Sequence, residues 1–372
     1  MTERPLFYVG IISILVGIQL FLAGFIGELI ARNSAERNTY LIEEKKRPAI
    51  NMKVIIIGPA HPLRGGGMAT FNERLARQFM QQGFETIIYT FSLQYPSFMF
   101  PGTSQYSTEP APTDLNIKVC INSVNPLNWI KIGNRIKKEN ADLVIVRYWL
   151  PLMGPALGTI LRKVKKNKHS KIICIADNVI PHEKRFGDKP FTKYFLKPID
   201  AFITMSENVL RDLRSFEKDK PAKLVKHPLY DNFGEKISKE EARRELGIGN
   251  EELVILFFGF IRKYKGLDIL LDAMKILQDH TPILSEVEGP NPERSRRAKF
   301  QIPRLLIAGE FYGDRKPYDE QIEKLGIKEN LILHTNFITD SEVKYFLCAA
   351  DVVIQPYRNA TQSGVTPPRL SF

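Results

Sequence analysis

Short apolar runs recur along this chain, each stopped by a glycine, a proline or a polar residue. They read "KVIIIGP" (Lys53–Pro59), "FETIIYTF" (Phe84–Phe91), "ADLVIVRYW" (Ala141–Trp149), "SKIICIAD" (Ser170–Asp177) and "AFITMS" (Ala201–Ser206). "ELVILFFGF", "RLLIAGE", "NLILHTNF" and "DVVIQPY" follow later in the chain. A strand covered on both faces is apolar throughout instead of alternating. Helical segments separate the runs, as in "MATFNERLARQFMQQG", where Phe71, Leu75 and Phe79 recur at helical spacing before Gly83. Strands that alternate with helices predict doubly wound parallel sheets.

The periodicity lapses at "VKHPLYDNFG" (Val225–Gly234), which reads as a linker. Beyond it Ser238 and Glu241 have the spacing of a capping box ahead of "KEEARREL". The expected organisation is therefore residues 1–50, then an α/β unit over 52–235, then a second over 236–372. Two places break the rhythm. Residues 281–303 are too long for a helix-to-strand loop and carry no apolar period, so they read as an inserted loop. At the other, "SGVTPPRLSF", a Pro-Pro pair stands where the alternation calls for a helix.

The net charge of +12 suits a polyanion, anionic lipid or a phosphorylated small molecule. Hydrophobic content of 44% excludes a disordered chain. Cys120, Cys174 and Cys348 lie far apart with no CxxC pair, so they read as buried thiols of a reducing compartment and not as a zinc or disulfide framework.

Phe7 to Gly27 carries no charge. As a helix it would measure about 31 Å, near the thickness of a bilayer core. Arg32, Arg37, Lys45, Lys46 and Arg47 follow it and only Arg4 precedes it. That bias predicts a single span with the rest of the chain on the cytoplasmic side of the inner membrane. "IQLFLAGFIGELIARNSAERNTYLIEEK" resembles the C-terminal membrane tail of polyprenyl-phosphate glycosyltransferases of family 2, so a fused gene boundary is one expectation for this segment.

Ligands of open α/β sheets bind at the carboxyl ends of the strands. "FGFIRKYKGLDILLDA" (Phe258–Ala273) places Arg262, Lys263 and Lys265 at such an end, just before a helix N-terminus. Cations and a helix N-terminus together favour a phosphate or diphosphate. Gly65–Gly66–Gly67 holds the matching place in the first unit and lets a phosphate or sugar approach the backbone. Asp177, Asn178, His182 and Glu183 follow "SKIICIA", the fourth strand read there, and suit acceptor binding or proton transfer. No Asp-x-Asp pair occurs, so cations and not a metal are expected to balance a leaving diphosphate.

From Lys53 to about Thr366 the chain resembles glycosyltransferase family 4, the retaining GT-B enzymes. "IIIGPAHPLRGGGMATFNERLA", "DNVIPHE", "AFITMSENVLRDL", "FFGFIRKYKGLDILLDAM", "LLIAGEFYGDR" and "AADVVIQPYRNATQSGV" carry the likeness, in the family's order. It implies two Rossmann-like units facing a cleft. It also implies a donor diphosphate on Arg262, Lys265, Gly66 and Gly67. The nucleotide and sugar would lie near Gly259, Asn336, Phe337, Ile338, Ser363 and Gly364. Asp177, Asn178 and His182 would face the reacting sugars. No cofactor and no metal are implied beyond a nucleotide-sugar donor. The acceptor would be lipid-linked or a polysaccharide, and nucleic acid is not expected as a partner.

Asp177 stands where many members have His. The family's Glu-x7-Glu pair has no counterpart near Gln362 and Ser363. The second unit is accordingly expected to be truncated. The other readings are an inactive or fused glycosyltransferase fragment and, from charge alone, a basic nucleic-acid-binding protein.

Overall fold

The computed structural model of the chain describes residues 52–65, 67–100, 102–181, 186–228, 233–285 and 302–358. The chain divides into two compact units, 1–50 and 51–372, and every described residue belongs to the second. The expected membrane span, Gly66, His182, Glu183, Ser363, Gly364 and most of the expected insertion lie outside the described residues. Among the described residues no helix is long and apolar enough to cross a membrane.

The first half runs β1 (Lys53–Ile57), α1 (Met68–Gln81), β2 (Glu85–Leu93), β3 (Ile117–Asn122), α2 (Pro126–Glu139), β4 (Leu143–Tyr148), α3 (Gly154–Val164), β5 (Lys171–Ala176), α4 (Asp188–Leu196), β6 (Ala201–Thr204), α5 (Glu207–Arg214) and β7 (Ala222–Leu224). Its seven strands are parallel, in the order β3-β2-β1-β4-β5-β6-β7. Ile55 pairs with Ile87 on one side and Val144 on the other, so β1 is covered along both edges. It is also covered on both faces. Ile55 and Ile57 join Ile132, Ile136, Leu157 and Leu161 of α2 and α3. Val54 and Ile56 pack with Ala76, and Phe71, Leu75 and Phe79 of α1 lie against that cluster. Burial on both faces is why these strands lack polar alternation.

The second half runs α6 (Lys239–Leu246), β8 (Val254–Phe258), α7 (Leu267–Ser285), β9 (Arg304–Ala308), α8 (Lys316–Leu325), β10 (Leu331–His334), α9 (Val343–Ala349) and β11 (Val352–Val353). Its four strands are parallel, in the order β10-β9-β8-β11. Ser238 caps α6, its hydroxyl accepting from Glu241 N at 3.1 Å as the capping spacing predicts. The Arg243 guanidinium is fully buried and donates to Ala349 O, Gly249 O and Asp351 Oδ2, which pins α6 to the end of α9 and the start of β11.

Three details differ from the sequence reading. β3 and β7 are strands that the apolar-run criterion does not find; both are edge strands, and β3 has the half-exposed face of an edge. The "IADN" loop therefore follows the fifth strand. And α7 runs into the start of the expected insertion, through Pro282 to Ser285.

Candidate active site

The strand order reverses between β1 and β4 in one sheet and between β8 and β11 in the other. Loops leaving the carboxyl ends of neighbouring strands diverge at such points and open a crevice. In the second half that crevice is built by the turn after β8 and the segment after β11. Ile261 N donates to Glu310 O and Tyr312 N donates to Ile261 O, so the chain after β8 stays paired with the chain after β9. A single 3-10 turn, Lys263–Lys265, then leads to Gly266 and α7. Gly266 has φ +75°, and a Cβ there would lie 2.1 Å from Pro356 O. Only glycine lets the turn and the β11 segment meet this closely. Arg358 N donates to Tyr264 O, and Arg358 pairs with Asp268, closing the same contact.

This packing buries Lys265 to 8% exposure. Burial, and after it the positive charge of Arg262, lowers its ammonium from near 10.5 to about 8. Its Nζ lies 5.9 Å from the Tyr357 ring. The charged group acting on it among the described residues is thus another cation, which leaves a buried positive site without an acid to balance it. Arg262 is exposed, with its guanidinium 5.2 Å from the Tyr312 ring. Its charge also opposes the burial that raises the Tyr95 hydroxyl, so Arg262 faces the first half across the gap.

Phe260 stacks on Tyr312 at 4.1 Å and lies 6.2 Å from Phe337. Phe100 of the first half meets Tyr312 edge-on at 5.8 Å. The Arg64 guanidinium sits 4.5 Å from the Phe337 ring and donates through Nη1 to Glu310 Oε2 at 2.6 Å. Thr70 Oγ1 donates to Asp340 Oδ2 at 2.6 Å, a second bond between the halves. Beside it His61, Thr70, Glu73, Glu109 and Asp340 border a cavity of about 300 Å³. Glu73 accepts from His61 N at 2.9 Å, and burial raises its carboxyl above the usual range.

Gly259 (φ +95°), Arg262 and Lys265 share the turn after β8, with Phe337 in the adjoining aromatic row. Asn336 is exposed and Ile338 half-buried against the second core. Gly67, at φ +55°, begins α1 as its N-cap. Asp177 is buried at the end of β5, and both its oxygens accept from Arg147, at 2.5 and 2.6 Å; Asn178 follows it, half-buried. Sequence reading did not single out Arg147, Arg64, Glu310 or Glu73. Arg147 had a signal, a charge inside the apolar run "LVIVRYW". Arg64 and Glu310 are 246 residues apart and had none. Among the described residues no group of three or more His, Cys, Asp or Glu is placed to hold a metal ion.

Residues 65–226 match the family described as Glycosyltransferase Family 4, and residues 238–364 match Glycosyl transferases group 1. Neither match reaches the first fifty residues, so the likeness of 7–46 to a family 2 tail gains no support. No curated protein matches the chain. Among solved structures, sucrose-phosphate synthase from Thermosynechococcus elongatus is similar with a TM-score of 0.59 at 14% identity, over 84% of this chain and 77% of that one. HepE of Anabaena, in complex with UDP-glucose, has a TM-score of 0.59 at 14% identity, over 86% and 78%. WaaG, a glycosyltransferase involved in lipopolysaccharide biosynthesis, has a TM-score of 0.58 at 15% identity, over 85% and 78%. These likenesses show the shared GT-B fold.

Proposed function

The chain belongs to the family 4, group 1 glycosyltransferases, and from that premise we propose that it takes a sugar from a nucleotide-diphosphate donor whose diphosphate rests on Arg262 and Lys265. The observation that carries this reading is the buried Lys265, balanced by no described acid and set beside a second cation at the sheet's carboxyl edge. Such a site is costly alone and favourable around a dianion. In the reaction the bond from the anomeric carbon to phosphate breaks, a bond to an acceptor oxygen forms, and the acceptor hydroxyl's proton passes to the departing phosphate or to solvent. The nucleoside diphosphate departs with added negative charge, which the two cations neutralise without a metal. Retention of anomeric configuration is what the family resemblance implies.

The acceptor belongs on the first half, near Asn178. A lipid-linked or polysaccharide acceptor at the cytoplasmic face of the inner membrane is our reading. The uncharged stretch 7–27, the cations that follow it and the role printed for WaaG support it. Isothermal calorimetry of the full chain with UDP, ADP and GDP tests the donor site. We expect one of them to bind and Arg262→Met to weaken it about tenfold, the loss of one charged hydrogen bond. Equal affinity in the variant would remove Arg262 from the site.

A further inference from the structure

The Arg64–Glu310 pair joins the two halves at the donor cleft. Arg64 immediately precedes the glycine run after β1; Glu310 follows β9. The side chains are 16% and 7% exposed. Thr103 N donates to Glu310 Oε1 at 2.7 Å, and the Thr103 hydroxyl bonds the same oxygen. Glu310 is fixed by its backbone too, since its carbonyl accepts from Ile261 N at 2.8 Å. Gly309 before it has φ +143°, and a Cβ there would lie 2.4 Å from Gly259 O. The carboxylate is thus anchored beside the turn that carries Arg262.

The two guanidinium groups flank one aromatic row. Arg262 lies over Tyr312, Arg64 lies over Phe337, and Phe260 sits between those rings. A guanidinium fork fits a carboxylate and a phosphate in the same way. We infer that Arg64 is a third donor-binding cation, which Glu310 positions and for which Glu310 competes with the donor phosphate. Donor binding then moves Arg64 from the carboxylate to the phosphate, and the enzyme's choice of donor depends on how well each phosphate group wins that exchange. This rests on the reading that Arg262 and Lys265 hold the diphosphate.

A structural ion pair and a competing one give opposite signs. If the pair only holds the halves together, loss of either partner weakens nucleotide binding. If Glu310 competes, loss of the cation weakens binding and loss of the acid strengthens it. The test is calorimetry of UDP, ADP and GDP with the full chain, Arg64→Gln and Glu310→Gln, each checked for folding by thermal unfolding. We expect a loss of about tenfold for Arg64→Gln and a gain of about three- to tenfold for Glu310→Gln, the range of one charged hydrogen bond. Should Glu310→Gln fail to fold, Glu310→Asp, which draws the carboxylate back from Arg64, replaces it with the same expected gain. Changes of the same sign, or no change in either variant, overturn the inference and leave the donor site standing. Failure of the unaltered chain to bind any of the three nucleotides overturns both.

Discussion

Arg147 and Asp177 form a buried bidentate pair across β4 and β5, with Nε and Nη2 of the arginine donating to the two carboxylate oxygens. The guanidinium is 2% exposed and lies 4.1 Å from the Phe71 ring. Its remaining nitrogen, Nη1, is buried with no hydrogen-bond partner among the described residues. Phe71 also packs against the core of the second half, so this pair lies under the junction of the two halves.

Removing Arg147 takes two charge-assisted hydrogen bonds from a carboxylate in a buried site. Arg147→Met is expected to cost about 3–5 kcal/mol of stability. The double variant Arg147→Met, Asp177→Asn removes both charges and should regain most of that loss. Urea unfolding of the wild type, Arg147→Met, Asp177→Asn and the double variant measures the coupling.

Glu139 gathers Lys118 Nζ at 2.8 Å, Lys53 Nζ at 2.7 Å and the Tyr89 hydroxyl at 2.9 Å. The hydrogen bonds from Lys118 and Lys53 lower its carboxyl from near 4.5 to about 2. A carboxylate lowered on folding contributes stability that is present above its unfolded value and lost as pH falls through the folded one. Part of the acid sensitivity between pH 4.5 and about 2 therefore belongs to this group. Glu139→Gln should lose about 1–3 kcal/mol at pH 7 and show a flatter stability profile below pH 4.5.

Lys265 works in the opposite sense. Its folded value of about 8 is below the ordinary 10.5, so the unfolded chain binds the extra proton between those values and stability rises with pH across that window. Lys265→Met should be more stable than the wild type at pH 7, by roughly 2–3 kcal/mol, and the gap should close above pH 10. Chemical unfolding at pH 7, 8.5 and 10 reads the difference.

Gly266→Ala meets both a left-handed φ and the Pro356 carbonyl, so the turn that buries Lys265 cannot close. We expect nucleotide affinity to fall by more than tenfold, which corresponds to about 1.4 kcal/mol. Gly326 also has positive φ, +63°, yet has nothing within 4 Å of a Cβ. Gly326→Ala should cost about 1 kcal/mol of stability and leave nucleotide affinity unchanged.

The buried strands were legible because both their faces are covered, which makes "VIII", "LVIV" and "VILFF" apolar without interruption. β3 was not, since "IKVCIN" has Lys118 and Val119 at a sheet edge. Arg262 and Lys265 could be read as a phosphate site because strand, turn and helix lie within a few residues of sequence. The charge of Arg147 could be noticed, but its partner could not, as Asp177 joins it only through the register of β4 and β5. Glu310 and Arg64 meet only because two separate sheets come together, and no local pattern encodes that.

The pH dependence of nucleotide binding tests the central claim most directly. A diphosphate held by Lys265 requires the protonated amine, whose value in the protein is about 8. With whichever of UDP, ADP and GDP binds, affinity measured by calorimetry from pH 7 to pH 9.5 should fall above about pH 8, with proton uptake on binding. In Lys265→Met the affinity should be weaker at pH 7 and flat across the range. An unchanged profile in that variant would contradict the account.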